Sequence, residues 1–252
     1  MTNGKRNAAD AVPAQAGISV FQQPVRTGGQ MKVTDGIYSY PWTNMWENNC
    51  NSYIFKKNGT TILVDPGLKR YVQALLISAA QDGVNEDDIS LVINTHAHPD
   101  HLDGNSHFLE RNIKVALSEE EGKFLQSTGK DFFRMFGLEQ PGSQIDISLK
   151  EGEFKTNDIE LQVLLTPGHS PGSICLYWPE KKALISGDVI FSESVGRTDF
   201  PGGSGELLKQ SIEQLSTLDV EYLLPGHNEI VTGKNDVKRN FEFIKRAFFS
   251  YM

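Results

Sequence analysis

The segment Asn94-Thr-His96-Ala-His98-Pro-Asp100-His101 sets four potential metal ligands within six residues. It follows the apolar run Ile89-Ser-Leu-Val-Ile93, so it occupies the end of a strand and the turn into the next helix. Side chains of an extended backbone alternate with period two, which puts the His96 and His98 imidazoles on one side, as two ligands of one ion require. Asp100 and His101 fall where the chain turns and can face a second ion. Three other segments end alike: Leu164-Leu-Thr-Pro-Gly-His169, Leu184-Ile-Ser-Gly-Asp188 and Leu223-Leu-Pro-Gly-His227 each read apolar strand, small or turn residues, ligand. Five of the six histidines are thereby accounted for. The sixth, His107, has no such context and reads as structural. A lone histidine is rarely a ligand, but donors packed this tightly point to a metal site.

The elements that must position these residues can be read from the pattern of the chain. Its 252 residues suffice for one large domain or two small ones and can bury roughly three quarters of the unfolded surface. The hydrophobic fraction of 38% with 23 glycines is that of an ordinary globular protein, which excludes whole-chain disorder, collagen and coiled coil. The net charge of -8 repels a phosphate backbone, so nucleic acid is not expected as a partner. Two cysteines, Cys50 and Cys175, form no C-x-x-C motif; with no signal-like apolar run near the start and no 18-residue apolar stretch, a cytoplasmic protein without a membrane span is expected. Residues 1–30 lack any period and read as an extended or mobile arm preceding a catalytic domain over 31–252. Short β-rich runs follow at 32–38, 52–55, 61–64 and 89–94, with a helix over 68–79. Ser118-Glu119-Glu120-Glu121 reads as a helix capping box rather than an acidic metal site. After a loop around 128–145, strands at 159–165, 173–178 and 182–187 lead to a helix from Leu208, a strand from Val220 to Leu224 and a last helix over 237–248. Two blocks of strands, each followed by helices, suggest two packed sheets with helices outside.

This combination, H-x-H-x-D-H with a later His, an Asp after an apolar strand and a last His, resembles the metallo-β-lactamase superfamily over residues 31–240. The resemblance implies an α+β fold, a four-layer αβ/βα sandwich with the site on one edge between the sheets. It implies that His96, His98 and His169 form a first metal site, that Asp100, His101 and His227 form a second, and that Asp188 bridges them. Asp65, in Leu63-Val-Asp65-Pro-Gly67, matches a family position near the site; it reads equally as an Asp-Pro-Gly turn or as support for a ligand histidine. Imidazole and carboxylate donors suit two divalent ions, with zinc expected and iron or manganese compatible. A pair of ions roughly 3.5–4 Å apart lowers the pKa of a shared water toward 7 and polarises a carbonyl. The implied chemistry is attack of a metal-bound hydroxide on an ester-like bond, with catalytic Asp100 orienting it or taking a proton.

Departures from individual branches narrow the substrate. Asp188 stands where β-lactamases with a cysteine ligand have Cys, and Phe191 where acyl-homoserine lactonases carry Tyr. The loop Gly196-Arg197-Thr198-Asp199-Phe200-Pro-Gly-Gly203 resembles the G-R-T-D-x-P-G-G loop of glyoxalase II-like proteins, the hydroxyacylglutathione hydrolase relatives. Within it Arg197 and Asp199 can pair to brace the loop or touch substrate. Only 25 residues follow His227, room for one helix rather than the C-terminal domain of true glyoxalase II. A thioester or ester hydrolase acting on a small molecule, such as a glutathione or other thiol ester, is therefore the leading expectation. The alternative is an Fe(II) persulfide dioxygenase acting on glutathione persulfide, with one iron on His96, His169 and Asp188; a non-catalytic binding protein comes last, because all seven ligands are present. The aromatic stretches Trp42/Trp46 and Phe132/Phe133 read first as core; were Trp46 and Phe133 at the mouth, the substrate would have a sizeable apolar part.

Overall fold

The alternation of side chains along each strand decides where the layers form. A computed structural model describes residues 32–44, 46–141 and 145–252. The segment read as an N-terminal arm lies outside the described residues. The first sheet runs in spatial order β1 (Lys32–Thr34), β2 (Ile37–Tyr40), β3 (Ser52–Lys57), β4 (Thr60–Val64), β5 (Leu91–Ile93), β6 (Lys114–Ser118) and β7 (Ile147–Leu149). Pairing is antiparallel up to β4 and parallel from there on, with Ile62 beside Leu91 and Leu91 beside Lys114. The second sheet is built from β8 (Gly152–Lys155), β9 (Glu160–Leu165), β10 (Ile174–Trp178) and β11 (Ala183–Gly187), then β14 (Tyr222–Pro225) and β15 (Val231–Thr232). A small hairpin of β12 (Ile190–Phe191) and β13 (Ser194–Val195) stands apart.

Tyr53, Phe55, Ile62 and Val64 point one way from the first sheet and meet Val163, Leu176, Trp178 and Ile185 of the second in a shared core. Their neighbours Ile54 and Leu63 point the other way, onto Val72, Leu75 and Leu76 of helix α1 (Lys69–Gln81). On the far side, Cys175, Leu184 and Leu223 pack against helices α6 (Gly205–Leu215) and α7 (Lys234–Phe248). Period two in the strands and 3.6 in the helices thus give helix, sheet, sheet, helix, the expected four-layer α+β sandwich. No helix among the described residues is long and apolar enough to cross a membrane.

Two parts of the chain depart from expectation. The loop expected around 128–145 is helical in its first part: α4 (Glu119–Phe124) continues through a π-helical turn at 125–129 into α5 (Lys130–Met135). Phe124, Leu125, Phe132 and Phe133 drive this, since they share a buried cluster with Ala97, Leu102 and Leu117. Strands β7 and β8 carried too little signal to be seen, because they are short and largely exposed, whereas β6, buried at four of its five residues, was passed over. Two short helices, α2 (Pro99–Leu102) and α3 (Asn105–Leu109), follow the ligand motif.

Leu184 is fully buried between the second sheet and helices α6 and α7. Leu184→Ala should cost about 2–5 kcal/mol of folding stability in denaturant titration; a loss below about 1 kcal/mol would contradict this packing.

Candidate metal centre

All four ligand-bearing segments leave the carboxyl ends of strands: β5 leads to His96, β9 to His169, β11 to Asp188 and β14 to His227. Strands β9 and β11 both run antiparallel to β10, and β14 runs parallel to β11, so these three ends lie on one edge of the second sheet. The ligand atoms of His96, His98 and His169 lie within 4.8 Å of one another, and so do those of Asp100, His101 and His227. Asp188 stands between the two groups. Its Oδ1 is 3.2 Å from His101 Nε2, and its Oδ2 is 3.5 Å from His169 Nε2 and 3.3 Å from His227 Nε2. His227 Nε2 is also 3.3 Å from Asp100 Oδ2.

Whether these residues suit cations can be judged from their unsatisfied atoms. The Nε2 atoms of His96, His98 and His169 are buried without a hydrogen-bond partner, and His101 Nε2 and Asp188 Oδ1, though 3.2 Å apart, are buried with no well-aligned one. Leaving one such group unpaired costs about 1–3 kcal/mol, and five pointing at one another are stable only when something positive joins them. Burial pulls the imidazoles of His96, His98 and His169 toward the neutral form, His98 to about 3, which keeps their lone pairs free. Burial works against the Asp188 charge, but the His227 and His101 imidazoles outweigh it and hold the carboxyl well below its ordinary range. Three neutral imidazoles with mixed imidazole and carboxylate donors fit borderline divalent ions. Both cysteines are free and buried, with burial pushing each thiol up to about 12, and neither joins the set.

Three of the five ligand histidines, His96, His101 and His169, are aimed by what holds their other nitrogen. Asp65 Oδ1 accepts the Thr95 N–H at 2.8 Å, and Oδ2 accepts the Thr95 hydroxyl at 2.8 Å and faces His101 Nδ1 at 2.9 Å. The Thr95 hydroxyl donates to Asp65, so it is left to accept from His96 Nδ1, 3.1 Å away. One carboxylate thereby orients a histidine of each group, with both protons on Nδ1. Asp65 does this from a left-handed backbone with φ of 53°, at the head of the turn through Gly67, so the turn and the supporting role coincide. His169 Nδ1 lies 2.7 Å from the Arg197 carbonyl, which gives the loop after β13 a direct hold on a ligand. Gly196 is required there, because a Cβ would fall 1.7 Å from the Asp188 carbonyl oxygen. Asn51 and Tyr53 of the first sheet both donate to the Pro225 carbonyl, at 3.0 and 2.7 Å, and fix the segment that bears His227. Thr95, Asn51 and Tyr53 carried no sequence signal, because their partners lie far along the chain.

The His/Asp cluster opens on a cleft of about 440 Å³ whose wall includes Phe136, Phe191, Val195, Arg197 and Phe200. Arg197 and Asp199 form a two-pronged ion pair at 2.7 and 2.6 Å, and the guanidinium sits 3.8 Å over the Phe200 ring. Two sequence candidates fall elsewhere. Phe133 is fully buried in the cluster under the ligand motif and cannot reach the mouth; its neighbours Phe136 and Phe200 do. Trp46 is 94% exposed and is absent from the cleft wall. Met45, beside it, lies outside the described residues. His107 pairs with Glu86 at 2.6 Å, away from the centre.

Comparison with known proteins agrees with this geometry. Residues 45–227 match the family model described as Metallo-beta-lactamase superfamily. A Methanocaldococcus jannaschii protein named "Probable metallo-hydrolase" is 33% identical over 196 residues, covering 74% of this chain and 91% of that one. A Haemophilus influenzae hydroxyacylglutathione hydrolase is 31% identical, covering 77% of this chain and 92% of its own. The crystal structure of TTHA1623 in a di-iron-bound form is 30% identical, with a TM-score of 0.64, covering 76% of this chain and 93% of that one.

In Asp65→Asn an amide NH2 must face either the Thr95 N–H or the Thr95 hydroxyl and His101 Nδ1–H. Affinity for the second divalent ion should fall about 10–100-fold in competition with a chromophoric chelator, while the fold persists. Unchanged affinity for both ions would remove Asp65 from the site's support.

Proposed function

The chain belongs to the metallo-β-lactamase superfamily, and from that premise we propose that it is a binuclear metal-dependent hydrolase of thioesters or esters. The observation that carries this reading is the set of buried, unpartnered ligand atoms gathered on both sides of Asp188. His96, His98 and His169 would hold one ion and Asp100, His101 and His227 the other, with Asp188 shared. Zinc is the ion we assign first, and the iron named for the TTHA1623 structure is the competing one. When bound, such ions supply Lewis acidity toward a carbonyl oxygen and a water activated near neutral pH.

The remaining work falls to the chain's own side chains. Asp100 Oδ2 accepts a hydrogen bond from Asn48 Nδ2 at 2.8 Å, which fixes the carboxylate on the cleft side of the cluster. From there it would orient the attacking water or take its proton. Phe136, Phe191, Val195 and Phe200 offer an apolar wall to the acyl or thiol part of a substrate and exclude water beside the scissile bond. Arg197 is neutralised by Asp199, so the loop of residues 196–203 braces His169 and the wall rather than presenting a free cation.

The test combines metal analysis with two assays. About two metals per chain, hydrolysis of S-lactoylglutathione or another thioester, and no oxygen uptake on glutathione persulfide are expected. About one iron per chain with stoichiometric oxygen consumption would overturn the hydrolase in favour of a dioxygenase on His96, His169 and Asp188. Phe200→Ala and Phe136→Ala should each raise KM for long-acyl thioesters about tenfold or more, since burying an aromatic side chain is worth about 1.5–3 kcal/mol, with short-acyl substrates little affected. An equal effect on both would sink the apolar wall.

A further inference from the structure

The end of the capping sequence, Glu121, is fully buried yet lies outside the ligand set. Ser118 does cap α4, accepting the Glu121 N–H at 3.2 Å, and its hydroxyl donates to the Gly172 carbonyl at 2.6 Å. The Glu121 carboxylate does not fold back onto the cap. Its Oε2 accepts the Ala97 N–H at 2.7 Å, and its Oε1 accepts the Ser170 hydroxyl and the Gly172 N–H, both at 2.7 Å. Ala97 lies between His96 and His98, and Ser170 follows His169. A single side chain therefore ties together the two loops, some seventy residues apart, that carry the three imidazoles of one cluster.

We propose that Glu121 is a positioning residue that fixes the His96/His98 loop against the His169 loop and so sets the affinity and geometry of the ion those three imidazoles hold. This rests on the reading of that cluster as a metal site.

Three physical arguments carry the inference. No lysine, arginine or histidine pairs with Glu121 among the described residues, and a buried carboxylate without a counter-charge is retained only where donors satisfy it. Its partners include two backbone N–H groups that can only donate, so an acceptor-only group is required at both oxygens. Gly172 packs so closely that a Cβ there would fall 2.6 Å from the Glu121 nitrogen and 2.7 Å from Ser118 Oγ, which leaves the clamped loop little room to drift. Glutamine has the same shape, but its amide NH2 must face the Ala97 N–H or the Gly172 N–H, and one loop has to move.

The test uses zinc and cobalt alone, without substrate, so it stands apart from the reaction assigned above. In folded Glu121→Gln protein, zinc affinity by chelator competition should fall about tenfold or more, and the visible spectrum of the cobalt-loaded protein should change. Ser170→Ala removes one of the three bonds; it should weaken zinc in the same direction by less, and add less than its own effect in the Glu121→Gln background. A purely structural Glu121 would lower the melting temperature and leave zinc affinity and the cobalt spectrum as in the parent, which overturns the proposal. If Glu121→Gln does not fold, unchanged zinc affinity in Ser170→Ala overturns it equally. A parent protein that takes up neither ion would overturn the metal reading itself.

Discussion

A buried imidazole is held with its lone pair inward when its other nitrogen is committed to an acceptor behind it. Much of this structure serves that condition. Asp65 receives His101 directly and His96 through the Thr95 hydroxyl, while the Arg197 carbonyl receives His169. The acceptors come from three different places: a left-handed turn after β4, the strand end before the ligand motif, and the loop after β13. None works unless both sheets are stacked as they are. The stacking core of Phe55, Ile62, Trp178 and Ile185 is thus a condition of the site's chemistry as well as of stability.

The same condition explains what was legible in the sequence. The ligands were visible because each stands directly after an apolar strand, and parallel or alternate antiparallel strands send such ends to one edge. Seven residues spread over positions 96–227 could thus be gathered from local pattern together with family resemblance. Their supports were not legible, since Asn51 to Pro225 and Glu121 to Ala97 are contacts of tertiary structure with no local period. The helical stretch 128–135 was missed for a related reason. Its aromatic residues are buried against Ala97, Leu102 and Leu117, and helical packing there outweighs the glycine and polar residues that read as a loop.

Local motifs also proved incomplete where they were read correctly. Ser118 caps its helix as its spacing suggests, yet the Glu three residues on turns away to three donors outside the helix. A capping box would satisfy only the Ser118 N–H; turning away satisfies two buried N–H groups and a hydroxyl, and the larger total desolvation cost decides the rotamer. The Arg197 and Asp199 side chains likewise pair within their loop, but it is the Arg197 backbone carbonyl that touches a ligand. What a loop motif fixes can therefore be its backbone shape rather than the side chains that make it recognisable.

The centre is also expensive to build. Five imidazoles and two carboxylates, most of them buried, crowd one edge of the sandwich, and each must be desolvated. The fold offsets this by keeping the cluster at the rim, where Asp188 and Asp100 retain a little exposure toward the cleft and His227 retains more. Deep burial on the His96 side and partial exposure on the His227 side give the two halves different surroundings. The first half is neutral, clamped by backbone contacts and reaches the cleft beside Phe200; the second is more charged and faces Phe191. That asymmetry suits a division in which one side anchors and the other meets substrate, because rigidity is needed where a ligand set must not vary and access where a bond must be reached.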